Sequence, residues 1–290
     1  MTVILSSFTN LVWAISQSKA ALFGWVLLIL LVMMAVFAPY LGLPDPVATD
    51  LRMRMSPPTI SLLGLGPHPL GTDQLGRDIL SRIVSGSRVT LTIGLAAVVA
   101  GGIFGTLLGL FSGYFGGIVD RVIMRLVDMQ LAIPLMLLAL IVVAAAGPSI
   151  QNLVLVLALT GWVRYARIVR GQVLAIRERE FIQSARAVGA SSMRIVFRHI
   201  LPNVLTPLLV VATLELARVV ILESAMSFLG FGVQPPAPSW GRMLSEGRTY
   251  MASAWWLVTF PGIAIVLTVL SVNLVGDWLR DYFDPKAEGK

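Results

Sequence analysis

Residues Met129–Val163 read MQLAIPLMLLALIVVAAAGPSIQNLVLVLALTGWV, 35 residues without one charged side chain. An α-helix needs about 20 apolar residues to cross the hydrocarbon core of a bilayer. This run is too long for one crossing, and Gly147-Pro148-Ser149 is a turn signal near its middle. The stretch therefore reads as two spans, 122–146 and 150–169, joined by a tight turn. A pair of crossings this close together places the chain among all-α integral membrane proteins.

The whole chain agrees. It has 290 residues, 57% of them apolar and 13% charged, with a mean hydropathy of +0.85. Soluble domains carry about 25% charged residues. Other uncharged runs give spans at 20–41, 89–115, 204–230 and 252–276, six in all. The first is longer than a signal-peptide core, and no small-residue cleavage pattern follows it, so it reads as a retained helix. Residues 1–85 then form an N-terminal segment with one span, 86–278 the main membrane domain and 279–290 a tail. In the second span Gly101, Gly105, Gly109 and Gly113 recur every fourth residue. Such a stripe lets a neighbouring helix approach closely.

Directly after the opening stretch the character inverts. Arg164–Asn203 reads RYARIVRGQVLAIREREFIQSARAVGASSMRIVFRHILPN, with eight Arg against two acids, Glu178 and Glu180. Six spans put both termini on the same side as this island. That side carries 14 Lys and Arg in or beside its segments, against 7 on the other. The positive-inside rule makes it cytoplasmic, with 42–88 and 231–252 facing outward. The same rule accounts for the formal charge of +7 without nucleic acid.

Within the island, Phe181, Ala185 and Val188 repeat at helical spacing, and Gly189 is a helix terminator. Ser191 is placed to cap a second short helix with Met193, Val196, Phe197 and Ile200 on one face. Pro202 suits the first turn of the fifth span. The reading is two short amphipathic helices joined at a glycine elbow. Amphipathy alone fits a lipid surface as well as a protein groove.

The order of residues points to the groove. Gln183-Ser184-Ala185, then Gly189, then Leu201-Pro202 at fixed spacing resembles the cytoplasmic signature loop of ABC importer permeases. Gln stands for Glu, Ser for Ala, and His199 for Ile in that pattern. Arg179–Ala190 resembles the version in the dipeptide/oligopeptide/nickel subfamily. So do Pro69–Asp73 with Gly76-Arg77-Asp78, Ser227–Pro236 with Ser239-Trp240-Gly241, and Asn273-Leu274 through Asp284-Pro285. Length and the single N-terminal span resemble the subfamily's second, shorter permease subunit.

The resemblance implies a type I importer permease fold in a bacterial inner membrane, with loop 170–203 docking on a cytoplasmic ATPase. Glu180, Ala185 and Gly189 would form the core of that contact. Arg179, Arg186 and Arg194 would be rim charges, with Gln183, Leu201 and Pro202 completing the motif. It implies a sister permease, two ATPases that hold ATP and Mg, and an extracytoplasmic solute-binding protein. That partner selects among dipeptides, longer peptides, glutathione, opines and nickel.

No enzyme signature accompanies these features. The chain has no Cys and two His, and no P-loop, HExxH or GxSxG. Neither cofactor nor metal is expected; Asp73, Asp78, Asp281 and Asp284 read as caps and ion-pair partners. Glu215, Arg218 and Glu223 are candidate pathway or bundle charges within the fifth span. Glu215 and Arg218, at i, i+3, are expected to pair. Glu223 is expected to face the path or a sister subunit. Asp120, Arg121, Arg125 and Asp128 read as an anchor at the water boundary, with Arg125 facing Asp128. Trp240, Trp255 and Trp256 are expected at the outer interface. A self-sufficient secondary transporter or channel is the alternative class; the halves show no clear internal repeat.

Overall fold

The computed structural model describes residues 14–61 and 64–283, and most of them are helical. Helix α1 (Lys19–Phe37) begins at Ser18, whose hydroxyl accepts the Ala21 N–H at 3.3 Å. A two-residue hairpin, β1 (Ile60–Ser61) and β2 (Gly64–Leu65), precedes α2 (Ile79–Phe115). Then come α3 (Gly117–Ala132), α4 (Leu135–Ala146), α5 (Ile150–Ile176) and the short α6 (Glu180–Ala187). The last are α7 (Ser192–Phe228), α8 (Trp240–Gly247) and α9 (Trp256–Phe283). Helices α1, α2, α5, α7 and α9 are long and apolar enough to cross a membrane, and α3 with α4 makes a sixth crossing if counted together.

The pairing of α2 with α5 is the spine. A Cβ on Gly101 would sit 2.9 Å from the Ala158 carbonyl oxygen, and one on Gly113 would sit 2.7 Å from Val173 Cβ. Gly105 and Gly109 face the backbone of Trp162 and Ala166 in the same way. Four residues without side chains thus bring two backbones into contact, which gains dispersion where lipid offers no hydrophobic drive. Helix α9 lies against α7 and α1, where Trp25 meets Trp278 edge-on at 6.0 Å.

Several elements depart from the expectations above. The third span is not one helix: α3 and α4 are bent by 89° at Ile133-Pro134. Proline has no N–H to continue the ladder and pushes the residue before it to extended backbone, as Ile133 shows with ψ 118°. Helix α2 starts ten residues before the expected 89, because Asp78 caps it by accepting the Ser81 N–H at 2.7 Å. Helix α5 runs on to Ile176, past the expected end at 169, so Arg170 is a helical rather than a loop residue. The second short helix is not separate either. Ser192–Arg194 passes through a π-helical turn, Ile195–Ile200, straight into Leu201–Phe228. Ser191 precedes it in extended backbone but makes no side-chain cap bond. Residues 284–290, with Asp284-Pro285, lie outside the described residues.

Candidate coupling surface and buried charge clusters

The two ends of the α2–α5 spine carry different chemistry. At the α6 end, Ile182 is fully buried with Val173, Ile176, Ile195, Val196, Ile200 and Val204. The expected stripe is not the buried face: Phe181 is 41% exposed and Val188 89%, with Ala185 half-buried. Likewise Val196 and Ile200 are buried, while Met193 and Phe197 are exposed. The cause is the direction from which the core approaches. It takes Ile182 and Ile195, which periodicity did not single out, together with Val196 and Ile200, which it did.

Gly189 makes the turn. Its φ is +85°, a region costly for any side chain. Its N–H bonds the Arg186 carbonyl at 2.9 Å, and the Ala190 N–H bonds Ala185 at 3.0 Å. This double bond pattern ends α6 with its last carbonyls satisfied. Around it, Arg186 lies over the Tyr114 ring at 5.3 Å, so it is tied to α2 rather than free at a rim. Arg179 and Arg194 are exposed, as are Gln183 and Pro202, with Leu201 half-buried. Glu180 is exposed on the first turn of α6 and has no ion pair among the described residues.

Below this surface, Asp120 receives Arg170 Nη2 at 2.7 Å, and Asp128 receives Arg167 Nη2 at 2.9 Å. The expected Arg125–Asp128 pair is replaced by these links from α3 to α5.

Inside the bundle, Glu215 is 1% exposed and bonds Arg218 one turn along α7. Its other oxygen lies 3.4 Å from Arg164 Nε on α5. Glu223 offers no exposed face. It is fully buried, receives the Ser227 hydroxyl at 2.7 Å, and lies near Thr90 and Ser239. Ser227 Oγ in turn accepts the Val233 N–H at 3.1 Å, so this carboxylate fastens the loop after α7.

At the opposite end, buried Arg77 and Arg82 converge with Asp73 on α8. Arg77 Nε donates to Asp73 at 2.6 Å, and Glu246 receives Arg77 at 2.8 Å, Arg82 at 2.9 Å and Arg242 at 3.1 Å. Burial alone would push the Glu246 carboxyl up; the guanidinium groups of Arg82 and Arg77 outweigh it and hold the carboxyl below its usual range. Asp78 also binds His68 Nδ1 at 3.0 Å. Of the expected interface tryptophans only Trp255 is exposed. Trp240 is fully buried and donates to the Ile83 carbonyl at 3.0 Å, and Trp256 donates to Thr72 at 3.1 Å. The roles of Arg242 and Glu246 were missed in the sequence: their i, i+4 spacing is a local sign of a pair, but nothing local points to Arg77 and Arg82.

Residues 105–289 match the binding-protein-dependent transport system inner membrane component family, and 7–58 match the N-terminal transmembrane domain of oligopeptide transport permease C. The chain belongs to the first of these families. It is a multi-pass inner-membrane permease subunit of an ATP-driven, binding-protein-dependent importer, and ATP hydrolysis lies in separate subunits. This decides against the self-sufficient transporter.

Among relatives of this permease, the dipeptide transport system permease protein DppC of Escherichia coli (strain K12) is 46% identical over 93% of this chain and 90% of that one. The di/tripeptide permease DppC of Pseudomonas aeruginosa (strain UCBPP-PA14) is 42% identical over 93% and 89%. The permease chain of the MetNI methionine ABC transporter, inward facing, shares the fold with a TM-score of 0.56 at 22% identity, over 69% of this chain and 94% of that one. The family implies ATPase and substrate-binding-protein partners and typically carries no cofactor. Among the described residues no three His, Cys, Asp or Glu gather as a metal site.

Proposed function

We propose that this permease forms half of the pathway of a di- or oligopeptide importer, paired with a sister permease, and that α6 with its Gly189 turn docks into a groove of the ATPase. The observation that carries the docking reading is the apolar surface of Phe181, Val188, Met193 and Phe197. It stays exposed beside a core that has already taken Ile182 and Val196. Exposed apolar residues gathered beside a charged rim mark a partner surface. Glu180, Ala185 and Gly189 form the centre of the contact, Ala185 contributing its outer half. Arg179 and Arg194 set the charge around it and steer association more than they add affinity. Gln183, Leu201 and Pro202 hold the frame between α6 and the span. The excess of Lys and Arg on this side supports cytoplasmic termini. Segments 42–88 and 231–252 then face the binding protein. The peptide relatives support peptide cargo.

The test is co-purification followed by transport. Expressed with its chromosomal neighbours, the permease is expected to bring ATPase subunits with it and to carry dipeptides into proteoliposomes on ATP addition. Gly189→Asp is expected to insert normally and to lose transport. Unaltered transport by that variant contradicts the docking reading.

A further inference from the structure

Three charged groups at membrane depth do not balance. Glu215 is buried, and both of its oxygens face cations: Oε1 accepts from Arg218, and Oε2 lies 3.4 Å from Arg164 Nε without a hydrogen bond. One carboxylate thus serves two guanidinium groups, which leaves one positive charge over. Neither cation is enclosed, since the Arg164 side chain is 54% exposed and that of Arg218 is 31% exposed. An uncompensated charge inside membrane spans is costly unless it meets water or an anion. Arg218 opens into a groove of about 250 Å³ between α7 and α9. Its walls include Leu214, Ile221 and Val269, and its one other polar side chain is Asn273.

We propose that Arg218, with Glu215 and Arg164 behind it, is a carboxylate-binding step on the translocation path, taking the C-terminal carboxylate of the transported peptide. This rests on reading the chain as a peptide importer's permease. The planar guanidinium offers paired donors that match a carboxylate. Asn273 supplies the donor and acceptor that a peptide bond needs, and the apolar walls accept a side chain. Arg164 acts through Glu215 and is a positioning residue. By sharing the carboxylate it keeps Arg218 from being fully neutralised by its own helix. The same sharing keeps the step weak, and a transport path requires weak sites so that cargo leaves as readily as it arrives.

The test uses the complete complex in proteoliposomes: this chain, sister permease, ATPases and binding protein. Uptake of a dipeptide is compared with uptake of the same dipeptide as its C-terminal amide, each with binding protein saturated. Arg218→Gln is expected to lower the acid-to-amide ratio about tenfold, the size of one lost charge-assisted contact. Arg218→Lys, which keeps the charge but not the paired donors, is expected to restore only part of it. Arg164→Gln is expected to lower the ratio by a smaller factor, since Glu215 then neutralises Arg218 alone. A ratio identical to wild type in both Gln variants overturns the proposal. So does failure of both to assemble, which would make the trio a structural bridge to a neighbouring subunit. If the wild-type complex carries no peptide at all, the peptide reading falls first and this inference with it.

Discussion

The end of the molecule that carries α8 and the end that carries α6 are built from the same materials, arginines and large apolar side chains, and use them in opposite ways. At the α8 end Arg77 and Arg82 are buried, and with Arg242 they converge on Glu246, while Trp240 is wholly enclosed. At the α6 end Arg179 and Arg194 are exposed beside Glu180, and Val188 stands almost fully in the open. The first end is completed within the chain. The second leaves Phe181, Val188, Met193 and Phe197 open, the surface that the proposed docking would cover. Burial of polar groups demands internal partners, whereas an exposed apolar surface demands an external one.

Substitutions test that contrast, and the largest effect belongs to the closed end. Glu246→Ala leaves buried Arg77 and Arg82 to share Asp73 and removes the partner of Arg242, and is expected to cost about 3–5 kcal/mol, read as a fall in thermal midpoint of the purified protein. A loss within experimental scatter would mean that this end is not closed by charge. Next is Ile182→Ala, which empties a filled site under α6 and should cost about 2–5 kcal/mol by the same measurement. Glu223→Ala strands Ser227 beneath the loop and is expected to cost about 1–3 kcal/mol. Its transport per folded molecule should stay near wild type, and a selective loss of transport would return Glu223 to the pathway. Phe181→Ser, on the open end, should move stability by no more than about 0.5 kcal/mol while weakening retention of the ATPase.

The pH dependence is the smallest effect. Glu246 titrates below its unfolded value, so its stabilisation is complete at neutral pH and is lost only as pH falls through its lowered folded value. Thermal midpoints from neutral to mildly acidic pH should therefore change little on account of this site, whose contribution is present throughout that range. A difference between wild type and Glu246→Gln that vanishes already near neutrality would contradict the sign.

Much of this was legible in the sequence. Hydropathy runs located the spans, since crossing length depends only on local composition. The glycines of α2 announced a close helix, although not that α5 was the partner. Gly189 was readable as a turn because its backbone conformation favours one residue type. What stayed hidden was mostly long-range. Arg82 and Glu246 are 164 residues apart, and neither flanking segment hints at the other. Glu223 had Ser227 one turn away in plain view, but the loop that buries it comes later in the chain. Pro134 was present in the sequence and its bend was not anticipated, because the uninterrupted apolar run around it outweighed one breaker. The face of α6 that turns inward depended on where Ile195 lies in space, beyond any periodicity of α6 alone.

The chain contains no cysteine, which makes single-cysteine chemistry clean. The decisive measurement places a photocrosslinker at Val188→Cys on the open end and, separately, at Leu75→Cys on the closed end, within the intact complex. The expected result is an adduct between Val188→Cys and the ATPase subunit, with none to the ATPase from Leu75→Cys. An ATPase adduct from Leu75→Cys, or its absence at Val188→Cys, would contradict the assignment of α6 as the coupling surface.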